Sequence, residues 1–290
     1  MKAPLRHQVA TALRARANNA IRSSVGLNRE PPSVCNDPGV AYTPVGGVSR
    51  LVHGDLASML IGGLASLFFQ MLHPLAMAGV AEHSRYQHDP LGRMLQTANF
   101  ISATTYGSKQ DAYAAIERVR AVHESVRGTA PDGRSYNAND PHLLRWIHCA
   151  EISMFLAGYQ RYGRERISPS EADAYVAETA QLARDLGVES PPRSVRELND
   201  AIEAFRPEMR LTREGESARD FISRGVVKGV FQRGAYWLIV RSSYALMEPW
   251  AREMLNVSNV ATLEGRVLRP VATLLCRAVR LAVPPATRVS

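Results

Sequence analysis

The chain has 290 residues, 46% of them apolar and 21% charged, with 20 Gly and 17 Pro. That composition excludes a disordered, collagenous or disulfide-scaffold protein, and the length permits one large domain or two small ones. The net charge of +8 sits at the ends, with +5 on residues 1–50, +4 on residues 261–290 and −1 on the 210 residues between. A nucleic-acid enzyme would carry its basic groove on the folded middle. No nucleic-acid partner is therefore expected, and basic ends fit either an anionic surface or solvated tails.

Cys35, Cys149 and Cys276 are widely spaced, with no C-x-x-C, which suits a reducing compartment. Arg14 and Arg16 interrupt the apolar residues near the start, so no secretory signal is predicted. No run of about 18 apolar residues predicts a membrane span. The expected location is the cytoplasm.

In chain order, residues 1–50 are expected to form an irregular basic arm, because 28–50 hold four Pro and three Gly. From Leu51 the pattern is helix after helix to about residue 260. His53–Met71 has apolar positions at helical spacing, with Gly62 and Gly63 permitting close backbone approach. Asp89-Pro90 is an N-cap followed by Pro at the first helical position, and predicts a helix to Tyr106-Gly107. A helix over Asp111–Arg127 follows, then turn chemistry in TAPDGRSYNAND. Asp140-Pro141 opens a long helix to Tyr162-Gly163, and Ser168-Pro169-Ser170-Glu171 and Ser194-Val195-Arg196-Glu197 are capping boxes. Helices also fit 216–230, 234–247, 249–255 and a last one ending near 282. No strand alternation stands out between 51 and 260. The predicted fold is all-α, a single domain of roughly nine helices around a buried cofactor or ligand cavity.

The last segment, 261–290, reads as a basic helix and tail. Arg266, Arg269, Arg277 and Arg280 fall on one side, with Val267, Val271, Leu274, Leu275 and Leu281 largely opposite. Such a helix could rest on an anionic membrane surface or pack on the domain with its Arg side solvated.

Candidate chemistry lies in residues 73–148, which hold six of the eight histidines. The chain lacks the P-loop, zincin and nucleophile-elbow motifs. His123 shares a helix face with Ile116, Val119 and Val126, so it is either a hydrogen-bonded core histidine or a ligand presented to a cofactor. Arg93 and Thr97 share a face with Phe100, Ile101 and Thr104. They are either a snorkelling Arg and a back-bonded Thr, or the lining of a polar pocket. His148 and Glu151 have di-iron spacing in reverse order, but paired partner motifs are missing. His73, just before Pro74, is expected at a helix end or kink.

The series HPLAMAGVAEHS (73–84), DPLGRMLQT (89–97), VHESVRG (122–128) and YNANDPHLLRWIH (136–148) resembles the helical oxygenase family of the latex-clearing proteins. That family includes the fungal oxygenase of the mycophenolic-acid pathway and many actinobacterial members. The resemblance spans about residues 50–250. It implies an all-α fold around haem b, with His123 as the iron's axial ligand and Arg93 and Thr97 as the distal pair. Gln96 stands where latex-clearing enzymes carry Lys, and Glu82 is the only acid near the place of their carboxylate base. The resemblance implies a haem-dependent oxygenase acting with dioxygen on a hydrophobic, isoprenoid- or lipid-like small molecule. The alternative is a haem-free helical protein that holds an apolar ligand in the same cavity.

Overall fold

A computed structural model describes residues 34–225, 229–257 and 267–282. The parts of the expected arm and tail at 1–33 and 283–290 lie outside these residues. Twelve α-helices occur among them, more than the roughly nine expected. One helix not foreseen is α1 (Val48–His53), which takes in the end of the predicted irregular arm; the Asp55 side chain then accepts the Ser58 amide and starts α2 (Leu56–Gln70) three residues after the predicted start at His53. The other arises at His73-Pro74, where His73 caps α3 (Pro74–His83).

Local capping fixes most other boundaries where the sequence places them. Asp89 accepts the Gly92 amide and opens α4 (Pro90–Tyr106). A capping box between Ser108 and Asp111 opens α5 (Lys109–Ser125) two residues earlier than predicted. That helix also ends earlier, because Arg127–Thr129 (β1) pairs antiparallel with Ser135–Asn137 (β2), Gly128 opposite Tyr136. This hairpin was not expected: three-residue strands are too short to show alternation. Asp140 opens α6 (Pro141–Tyr162) and Ser168 opens α7 (Pro169–Leu186), which stops at Gly187 with φ +104°. Then come α8 (Val195–Phe205), a 3₁₀ turn (Arg206–Glu208), α9 (Arg213–Arg224), α10 (Val230–Leu246), α11 (Pro249–Met254) and α12 (Arg269–Ala282).

The fold is all-α and one domain, built on the crossing of α2 with α6. A Cβ on Gly62 would lie 2.8 Å from the Met154 carbonyl oxygen, and one on Gly158 would lie 3.0 Å from the Gly62 Cα. The two backbones touch there, which only glycine allows. Trp146, Phe68, Phe69 and Tyr159 fill the core around this crossing. The Ser243 hydroxyl on α10 donates to the Ile61 carbonyl at 2.9 Å and joins a third helix to α2.

Asp55 has a second role. Its carboxylate, 1% exposed, also accepts the Arg164 amide and pairs with Arg280 of α12 at 2.9 Å. Leu268 just before α12 and Ala272 and Cys276 on it are buried, while Val267 before it and Val271, Leu274 and Leu281 on it are exposed. This corrects the predicted faces: the apolar side is exposed, and Arg280 turns inward to neutralise a buried carboxylate. Among the described residues no single helix is long and apolar enough to cross a membrane.

Candidate functional site

Three of the four sequence segments of the 73–148 series are brought together by packing. Ala78 of α3, Ala130 and Tyr136 of the hairpin region and Leu143 of α6 form one buried cluster, with Leu75 and Val126 against it. Gly79 presses on Val126 and Tyr136: a Cβ there would meet Val126 Cγ1 at 3.4 Å. This cluster fixes the end of α5, and therefore His123, against the start of α6.

On α5, Ile116 is buried and Val119, His123 and Val126 are half-buried, so the predicted face turns inward. His123 Nδ1 is buried without a hydrogen-bond partner among the described residues. Burial holds the imidazole pKa below its ordinary value, the nearby Arg93 charge lowers it further, and a side-chain hydrogen bond with Asn139 opposes both. The ring is therefore neutral near pH 7, the state in which a ring nitrogen can ligate a metal.

Arg93 and His123 are thus close enough to interact, across the packing of α4 on α5. Arg93 is exposed, while the protein near its guanidinium lowers its pKa. Thr97 is exposed, and its hydroxyl donates to the Arg93 carbonyl at 3.2 Å. Arg93 and Thr97 therefore share one turn, but Thr97 spends its proton on its own helix. The Arg93–His123 pair gains Asn139, a member of the YNANDP segment whose role was not foreseen.

The acids fall differently from expectation. Glu82 is exposed and accepts a hydrogen bond from the Tyr136 hydroxyl, which also meets His83 Nε2 at 3.2 Å. Besides Asp55, the acid most enclosed by protein is the half-buried Glu151. Burial raises its carboxyl to a pKa of about 7. Near it runs a polar chain through the core: His53 Nδ1 meets Thr105 Oγ1 at 2.8 Å, and its Nε2 meets the Tyr175 hydroxyl at 3.1 Å. Glu151 acts electrostatically on Tyr175, whose pKa burial drives far up. His148, one turn before Glu151, is 9% exposed, has an unpartnered Nε2, and is pushed down to a pKa of about 4 by burial.

Two surface recesses lie elsewhere. One of about 410 Å³ is lined by Arg269, Pro270, Thr273, Leu274 and Arg277, and one of about 310 Å³ lies beside Arg145 and Glu197. Neither includes Arg93, Thr97 or His123.

The family model described as "ER-bound oxygenase mpaB/B'/Rubber oxygenase, catalytic domain" matches residues 50–281, a span that contains all four segments. This chain belongs to that family. Two relatives of the mpaB/rubber-oxygenase domain are uncharacterised mycobacterial proteins, Rv2237 of Mycobacterium tuberculosis and Mb2261 of Mycobacterium bovis. Each is 28% identical over 130 residues, 43% of this chain and 50% of its own. The match thus spans about half the length of these relatives. No solved structure matches the chain.

Proposed function

We propose that this oxygenase-family domain is a haem b-dependent oxygenase that acts with dioxygen on a hydrophobic, isoprenoid- or lipid-like small molecule. The observation that carries the reading is His123: a neutral imidazole with a buried, unpartnered Nδ1, beside the only part of α4 that brings an Arg to α5. An orphaned buried ring nitrogen costs free energy unless a partner completes it, and the iron of a haem would be such a partner. When bound, haem supplies the activation of dioxygen.

The chain's own residues would do the rest. His123 would hold the group from one side, with Asn139, whose side chain raises the ring's pKa, beside it. Arg93 brings a permanent positive charge and five N–H donors to the same place, favouring negative charge that develops on a bound reactant. Thr97 holds a hydroxyl one turn further along, and its bond to the Arg93 carbonyl is weak enough at 3.2 Å to be exchanged for a substrate contact. We further propose cytoplasmic action with a peripheral membrane contact through α12, where an apolar substrate would be most concentrated.

The test is the absorption spectrum of the full chain expressed with iron and a haem precursor. Wild type should show a Soret band. His123→Ala should lose most bound haem or change its axial-ligand spectrum while its helical circular dichroism persists. Arg93→Ala should keep haem and lower oxygen consumption at least tenfold. A colourless wild type would favour the haem-free binding protein, and haem retained unchanged in His123→Ala would overturn the ligand assignment.

A further inference from the structure

A second group of metal-ligating side chains lies apart from His123. His73 caps α3, His142 sits in the first turn of α6, and Glu208 ends the 3₁₀ turn after α8. The sequence separates them by up to 135 positions, and the fold places their ligand atoms within 4.8 Å of one another. His142 Nε2 lies 2.9 and 3.0 Å from the two carboxylate oxygens of Glu208, and His73 Nε2 lies 3.6 Å from the nearer of them.

His73 is the informative member. It is fully buried, against Trp146 and Phe205, and its Nε2 has no hydrogen-bond partner. A buried polar atom aimed at a carboxylate but too far to bond it leaves room for something between them. Tetrahedral zinc with arms of about 2.0–2.1 Å needs donors roughly 3.3 Å apart, and the observed separations straddle that value. Two imidazoles and a carboxylate are a zinc donor set that leaves one vertex free. That vertex faces solvent, since the His142 side chain is 55% exposed and that of Glu208 35%.

Two neighbours work against a cation, and both are compensated. Arg134 acts on His73 and Glu208 electrostatically, but its guanidinium donates to Asp132 at 2.8 and 3.1 Å. The Ala76 amide approaches His73 Nδ1 at 3.5 Å, which would favour the proton on Nε2; at that length the bond competes weakly with the tautomer that a metal at Nε2 requires.

We propose that His73, His142 and Glu208 bind one divalent zinc-class ion, which clips the starts of α3 and α6 to the turn after α8. The full chain, stripped with chelator, would be titrated with zinc alone by calorimetry and followed by thermal melting. One equivalent should bind per chain and raise the melting temperature. His142→Ala and Glu208→Gln each change a partly exposed side chain and should fold; each should weaken binding at least tenfold and abolish the thermal shift. His88→Ala, an exposed histidine elsewhere, and His123→Ala should leave zinc binding unchanged, so haem failure and zinc failure are separable. No binding in wild type, or equal binding in His142→Ala and Glu208→Gln, would overturn the site and leave Glu208 bonded to His142 alone.

Discussion

At the scale of single residues, the core of this oxygenase-family domain holds groups that would rather be neutral, and they set its pH behaviour. Burial pushes His53 and His148 down to pKa values of about 4. Their contribution to stability is present above the ordinary histidine value of 6.5 and is lost as pH falls through about 4, because the unfolded chain takes up the protons first. Glu151 has the opposite sign. Its carboxyl is raised from 4.5 to about 7, so its contribution is present below 4.5 and lost as pH rises through about 7. Glu151→Gln should therefore stabilise the protein at about pH 8, by up to about 3 kcal/mol, with the gain fading toward pH 4.5. Urea denaturation at several pH values reads this directly, and a gain independent of pH would show that Glu151 is not buried as a carboxyl. The placement of His123 on an inward face was legible from its spacing with Ile116 and Val119. Glu151 was visible only as a spacing, because desolvation depends on which helices cover α6. Glu208 carried no local signal at all, since its partners His73 and His142 are reached only through the fold.

At the scale of elements, boundaries were legible wherever a cap is local. Asp89-Pro90, Asp140-Pro141, Ser168 and Ser194 all open helices where the sequence places them, because the capping side chain and the amide it accepts are two or three residues apart. Asp55 was missed because the apolar spacing runs on across it from His53. The two glycines of α2 separate what sequence can and cannot say. Both were read as permitting close approach, but only Gly62 touches the α6 backbone; a Cβ on Gly63 would meet nothing nearer than Phe155 Cε1 at 3.8 Å. Gly62→Ala should destabilise the fold by about 1–3 kcal/mol by forcing α2 and α6 apart. Gly63→Ala should be neutral or stabilising by up to about 1 kcal/mol, from helix propensity. Chemical denaturation of the two variants checks the pair, and equal effects would mean that the crossing is not set by glycine.

At the scale of the whole molecule, the C-terminal helix is part of the domain and also carries exposed apolar surface. Arg280 neutralises Asp55, which is 1% exposed, so Arg280→Ala should cost about 3 kcal/mol by leaving a buried carboxylate with amide donors alone. Deleting the helix would do the same, and so cannot serve as a clean test of membrane contact. The solvent side offers a better one. Leu274 is 61% and Leu281 69% exposed, Val271 lies beside them, and Arg269 and Arg277 are exposed on the same helix. An apolar strip flanked by Arg matches an anionic bilayer surface, with the leucines entering the acyl boundary and the guanidinium groups at the headgroups. The pair Leu274→Glu and Leu281→Glu touches no buried contact and should shift stability by less than about 0.5 kcal/mol. Wild type should sediment with vesicles containing phosphatidylserine, less so as salt is raised, and the double variant should stay in the supernatant. Equal sedimentation of the two proteins would remove the membrane from this reading while leaving the Asp55–Arg280 lock, and the fold it holds, untouched.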